Sequence, residues 1–196
     1  FYGNELTVIN IPNSVESIER FAFYDNLLTS VTIGSKVNYL GESAFAHNQI
    51  NDVALPRTLT AIDTSAFADN ALSVVVIPDS VSNVGDSAFA NNYIVEVDLG
   101  GGVKYIGTNA FFNNRLSHLI IPDSVLDIGV RAFAKNSLQS VEFGNQIEVI
   151  GAEAFVSECT QGNQIGNIAL PNSVVSIGAH AFQCNRASSL RLGNSV

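Results

Sequence analysis

The dipeptide Ala-Phe returns along this chain with a fixed spacing, and no other feature limits the possible folds so severely. Its phenylalanines fall at Phe23, Phe45, Phe67, Phe89, Phe111, Phe133 and Phe155, each 22 residues after the last, with Phe1 one period earlier. The spacing lengthens once, to 27 residues at Phe182, which puts five extra residues into the loop 156–162. Asn stands three residues after these Phe, at Asn4, Asn26, Asn48, Asn70, Asn92, Asn114, Asn136 and Asn185, and reappears after the insertion at Asn163. A period of roughly 20 to 50 residues marks a solenoid, whose units cannot bury their apolar residues alone and stack to share one core. Nine units are visible, the first and last incomplete, so one elongated domain of about nine coils is expected over residues 1–196.

The unit reads A-F-x-x-N-x-L-x-x-V-x-I-P-x-S-V-x-x-I-G, most plainly from Ala66 to Gly85. Its V-x-I segment, as in Val31 to Ile33, Val53 to Leu55, Val97 to Leu99 and Val141 to Phe143, alternates at period two and predicts a short strand. The strand is expected to stop at Pro12, Pro56, Pro78, Pro122 and Pro171, or at Gly34, Gly100, Gly144 and Gly193, since these residues end a ladder or admit a turn. The S-V-x-x-I-G that follows adds two inward apolar residues before a Gly that can take a positive φ, where the chain is expected to turn. Gly-x-x-Ala-Phe is too short for a regular helix, which leaves turns or 3₁₀ segments. One Phe per coil predicts an internal aromatic spine, and one inward Asn per coil predicts a ladder that satisfies backbone groups of adjacent loops.

The pattern resembles the leucine-rich repeats of the bacterial surface-antigen type, the BspA-like group. The resemblance rests on Ile11-Pro-Asn-Ser-Val15 with Ala22-Phe23, Ile77-Pro-Asp-Ser-Val81 through Gly85 to Phe89, Ile121-Pro-Asp-Ser-Val125 through Gly129 to Phe133, and Leu170-Pro-Asn-Ser-Val174 through Gly178 to Phe182. It covers essentially the whole chain. The commoner form of that family is one residue longer and carries Cys where this chain has Asn, so the chain looks like an Asn subtype. The resemblance implies a right-handed leucine-rich-repeat solenoid with one parallel β-sheet on one face, in secreted or cell-surface proteins of bacteria and some parasitic protists that often act as adhesins.

Composition narrows the partners. The 18 Asp and Glu against 9 Lys and Arg give a net charge of −9, which opposes the counterion release that draws proteins to nucleic acid and disfavours anionic membranes. No apolar run approaches the roughly 18 residues of a bilayer-spanning helix. At 46% hydrophobic residues the chain supports a core rather than disorder. Phe1-Tyr2-Gly3-Asn4 has the features of no leader, so an export signal is expected outside this stretch, and the chain is expected to be part of a larger protein. The uncapped first and last units predict end-to-end association between copies. No Asn begins an Asn-x-Ser/Thr acceptor, which fits a bacterial source.

Chemistry-bearing motifs are few. His47, His118 and His180 occupy different phases of the repeat, and neither zinc nor EF-hand spacing occurs, so no metal is expected. Gly100-Gly101-Gly102 lacks the residues of a phosphate loop and reads as a turn variant. The carboxylates sit mostly at variable outward positions, so no glycosidase pair, no cofactor and no enzyme are expected. Cys159 in the insertion and Cys184 just after Phe182 lie in neighbouring coils, which leaves a disulfide, two free thiols or a nucleophile beside His180 as readings.

The outward strand positions vary freely where the frame does not. They gather Val74, Val76, Val95 and Ile120 beside Asp52, Glu96, Asp98, His118 and Glu142, an apolar patch with an acidic border. The expectation is an interaction module that binds an extracellular or host protein there, with a rigid spacer and glycan recognition as the alternatives; β-branched residues also favour strands for packing reasons alone.

Overall fold

The computed structural model describes residues 1–194; Ser195 and Val196, the end of the expected domain, lie outside the described residues. The chain winds as a parallel β-solenoid of eight complete turns, the ninth only begun, and no helix occurs among the described residues.

Two faces carry strands, where one sheet was expected. The V-x-I segments form β1 (Val8–Asn10), β3 (Ser30–Thr32), β6 (Val74–Val76), β8 (Glu96–Asp98), β10 (His118–Ile120), β12 (Ser140–Glu142), β14 (Asn167–Ala169) and β16 (Ser189–Arg191). These join only in pairs, β1 with β3, β6 with β8, β10 with β12 and β14 with β16. The continuous sheet comes instead from S-V-x-x-I, as β2 (Ser17–Ile18), β4 (Tyr39–Leu40), β5 (Ala61–Ile62), β7 (Asn83–Val84), β9 (Tyr105–Ile106), β11 (Asp127–Ile128), β13 (Val149–Ile150) and β15 (Ser176–Ile177). All of its pairings are parallel and in register, coil on coil.

The paired and open junctions follow one rule of sequence. A coil whose strand ends at Pro pairs with the next coil when that one ends at Gly: Pro12 with Gly34, Pro78 with Gly100, Pro122 with Gly144, Pro171 with Gly193. The amide before each Pro donates across the junction, as Ile11 N–H does to the Thr32 carbonyl at 2.9 Å and Ile77 N–H to the Asp98 carbonyl at 2.8 Å. A Cβ added at Gly34, Gly144 or Gly193 would fall on the carbonyl oxygen of the preceding coil's Pro, so only glycine lets the backbones close. The residue after each of these Pro then locks the turn: Asn13, Asp79, Asp123 and Asn172 accept from the amides of Ser35, Gly101, Asn145 and Asn194 at 2.7–3.1 Å. Where a Gly coil is followed by a Pro coil, at Gly34 and Pro56, Gly100 and Pro122, and Gly144 and Pro171, the strands do not pair. Pro56 is followed by a second Pro coil and by Arg57 instead of Asn or Asp, and residues 52–54 form no strand at all.

The glycines of S-V-x-x-I-G, which can take a positive φ, do not use it. They serve close approach: a Cβ at Gly107, Gly129 or Gly151 would lie 2.6–2.7 Å from main-chain atoms of the coil below. Left-handed backbone falls instead on non-glycine residues two before or two after the Phe, such as Ser43 (φ 52), His47 (φ 56), Arg131 (φ 56) and Lys135 (φ 54). Each such residue costs on the order of 1 kcal/mol. Main-chain bonds between coils impose it, as from Ser43 N–H to Thr64 O at 2.8 Å, Phe45 N–H to Ala66 O at 2.9 Å and His47 N–H to Ala68 O at 3.0 Å.

Two ladders run through the core. The nine Phe rings from Phe1 to Phe182 stack with centroids 5.1–5.6 Å apart and planes within 11°. Coils rise by about 4.8 Å, so the rings stack offset, the arrangement their quadrupoles favour. Beside them each Asn from Asn26 onward bridges two coils: Asn70 Nδ2 donates to Phe45 O at 2.9 Å and, within its own coil, to Ala68 O at 3.2 Å, while its Oδ1 accepts from Ile50 N–H at 3.0 Å. After the insertion Asn163 resumes the same role on Phe133 O and Leu138 N–H.

Candidate functional site

All nine residues singled out on the strand face are exposed, while the alternating residues between them, Val75, Leu119 and Val141, are buried. Val74, Val76, Val95 and Ile120 are 40%, 58%, 50% and 56% exposed. Three adjoining depressions lie along this face, the first and third at open junctions. Asp52, Val74 and Val76 line the first with Arg57, about 350 Å³ in volume. Val76 and Asp98 line a second of about 380 Å³ with Arg57 and Asp79. Val95, Glu96, Asp98, His118 and Ile120 line the third, about 660 Å³, where β8 and β10 part. Glu142 lies beyond, beside His118 Nε2 at 3.8 Å, and shares no depression with Asp52. His118 Nδ1 is 2.6 Å from Ser140 Oγ, so the imidazole is tied towards β12.

Sequence reasoning passed over Arg57 and Ser117, and read Gly100 and Gly101, which also line the third depression, only as a turn variant. Arg57 was detectable as the one residue after a Pro that is neither Asn nor Asp. The continuous sheet is formed by S-V-x-x-I, the alternative under which the binding face would not be the one singled out from the sequence, and its outward side is a second surface, with Tyr39 and Tyr105 exposed. Tyr39 Oη donates to Asp63 Oδ2 at 3.0 Å, and that bond holds the phenol above its ordinary pKa. Burial pushes the Asp127 carboxyl up. A further apolar depression of about 710 Å³ is lined by Phe1, Leu6, Val8, Ile9 and Val15 of the first coil and by Phe23 of the second.

The histidines stand apart, His47 beside Asp69 at 3.4 Å on the turn edge and His118 on the strand face. Among the described residues no three His, Cys, Asp or Glu gather as a metal site, and no helix is long and apolar enough to cross a membrane.

The structure joins Cys159 to Cys184, with Cα atoms 4.6 Å apart, and so fastens the insertion to the last coils. Bonded to each other, the two sulfurs leave no thiolate to act beside His180. The bond closes a loop over a separation of 25 residues, for which chain entropy gives about 3.5 kcal/mol. Reduction should add two mass units and lower the denaturant midpoint accordingly; an unchanged mass would show free thiols.

A chain of short parallel coils wound on Phe and Asn ladders is a repeat protein of the β-solenoid class, which offers surface instead of enclosing a cavity. The model of the BspA type leucine rich repeat region matches it in six copies over residues 1–117 and 104–196, and the chain belongs to that family. Among solved structures it is similar to a leucine-rich repeat protein from Bacteroides ovatus, at 25% identity and TM-score 0.74 over 88% of this chain and 45% of that one. It is also similar to a leucine rich cell surface protein from Faecalibacterium prausnitzii, at 25% identity and TM-score 0.59 over 97% and 62%. The pneumococcal vaccine antigen PcpA shares the fold at 19% identity and TM-score 0.52, over 97% and 63%. The chain thus spans 45–63% of the length of these relatives. No curated protein matches it.

Proposed function

We propose that this chain is the binding part of a secreted or cell-surface bacterial protein and that it holds an extracellular or host protein on the strand face between Asp52 and Glu142. The observation that carries this reading is the run of exposed Val74, Val76, Val95 and Ile120 on successive coils, at the mouths of adjoining depressions. Apolar side chains bordered by charge are the anatomy of a protein interface core with its rim. Eight coils at about 4.8 Å give a face near 40 Å long, enough for a standard interface of about 800 Å² per partner. The surface location is supported by the description of the Faecalibacterium relative as a cell surface protein.

The test is capture of immobilised extracellular-matrix proteins, plasma proteins and glycans by the chain and by its Val76→Lys, Ile120→Lys double variant. Both positions point outward, so the variant should keep the native circular dichroism. Saturable protein binding that the variant loses by at least about tenfold is expected. Binding only to glycans would support carbohydrate recognition, and binding to nothing would support a rigid spacer.

A further inference from the structure

The junction between β8 and β10 is built to take more than apolar contact. Residues 95–99 and 117–121 share no main-chain hydrogen bond, and the bond that Ile77 N–H makes to Asp98 O has no counterpart from Leu99 to Ile120. The gap therefore presents unpaired main-chain polar groups to the depression of about 660 Å³. Its walls include Val95, Ile120 and Pro122, and its rim carries Glu96 and Asp98. Asp98 Oδ1 accepts from Gly100 N–H at 3.0 Å, which orients the carboxylate. No cation of the chain lies within ion-pair distance of Glu96 or Asp98 among the described residues, and His118 is engaged by Glu142 instead.

We infer that this opening receives an arginine side chain of the bound protein, its stem against Val95 and Ile120 and its guanidinium between Asp98, Glu96 and the carbonyls freed by the parted strands. The inference rests on the strand-face reading above. A planar cation with five donors can satisfy a carboxylate and main-chain oxygens together, which the compact lysine ammonium does less well, and an aliphatic stem suits an apolar wall. Arg57 lines the neighbouring depressions with Asp52, Asp79 and Asp98 but forms no ion pair with any of them, so it does not occupy this opening. At the β8–β10 opening the carboxylates are present and the cation is missing.

The probe is the capped peptide Gly-Val-Arg-Val-Gly, with citrulline, lysine and norleucine in place of arginine, titrated into the full chain and followed by amide NMR. Arginine should shift amides of residues 95–101 and 117–122, and neutral citrulline should bind about tenfold more weakly. Asp98→Asn with Glu96→Gln should bring arginine down to the citrulline level; the amide oxygen that replaces the carboxylate at position 98 still accepts from Gly100 N–H, so the fold is retained. Equal binding of citrulline and arginine, no binding, or shifts confined to other coils would overturn the inference. If the arginine peptide fails while the Val76→Lys, Ile120→Lys variant still loses a captured protein, the strand-face reading stands without the slot. If the peptide binds and no protein is captured, the slot stands alone.

Discussion

Replacing Asn92 with leucine should destabilise the chain by about 3–5 kcal/mol, although the two side chains share the same branched skeleton of heavy atoms. Asn92 is buried, accepts from Leu72 N–H at 3.0 Å, and donates to Phe67 O at 2.9 Å and to Phe89 O and Ala90 O at 3.2 Å. Leucine would orphan one donor and leave the Phe67 carbonyl without this partner; each buried unsatisfied group costs about 1–3 kcal/mol. Aspartate is a sharper probe, since it keeps the acceptor but turns a carboxylate towards three carbonyl oxygens. Burial and that repulsion raise the pKa of the new carboxyl in the folded state above its unfolded value. The Asn92→Asp deficit is then largest above the folded pKa and shrinks as the pH falls through it. Denaturant melts of both variants at two pH values are the check. A leucine variant within about 0.5 kcal/mol of the parent would show that the ladder is not structural.

Phe89→Ala should cost a comparable 3–5 kcal/mol, because the ring is fully buried between Phe67 and Phe111, 5.6 and 5.3 Å away. No neighbour can collapse into the gap, since the spacing of the stack is set by the coil rise. Phe1→Ala removes the same group at a position 75% exposed, with a stacking partner on one side only, and should cost far less. In a solenoid each coil is held by its two neighbours, so a break at Phe89 should also divide the unfolding transition, whereas a change at Phe1 should merely shorten the cooperative unit. Equal midpoint shifts for the two variants would contradict the spine.

Much of this architecture was legible because it repeats. Phe and Asn recur at one phase each, and a residue type that returns every coil must meet its own copy in the next. The alternation at Val31 to Ile33 and its equivalents likewise showed which side chains face out, and Val76, Asp98 and Ile120 do. What stayed hidden was anything decided between coils. Whether β8 meets β10 depends on the Gly at 100 and the Pro at 122 together, and neither unit read alone reports it. The two-residue strands of the continuous sheet are too short to leave a periodic trace. Glycine misleads as well: Gly107 and Gly129 suggest a positive φ, whereas they are needed where one backbone lies on another, and left-handed backbone falls on Ser43 and Arg131 because the next coil's carbonyls hold it there. The outward positions of the site were therefore readable, but its depressions, and the part Arg57 plays in them, were not.

The alternation of Pro and Gly coils also sets the smallest length by which such a protein can grow or shrink without disturbing its surface. Removing 44 residues takes out one Pro coil with its Gly partner and leaves every remaining coil beside the kind of neighbour it had. Removing 22 from within the alternating stretch sets Pro against Pro or Gly against Gly, the arrangement already present at Pro56 and Pro78, where the strand is lost. The repeating module of this solenoid is two coils, and the single coil between Gly34 and Pro78 is the place where that count is broken, where the strand is missing and a depression opens.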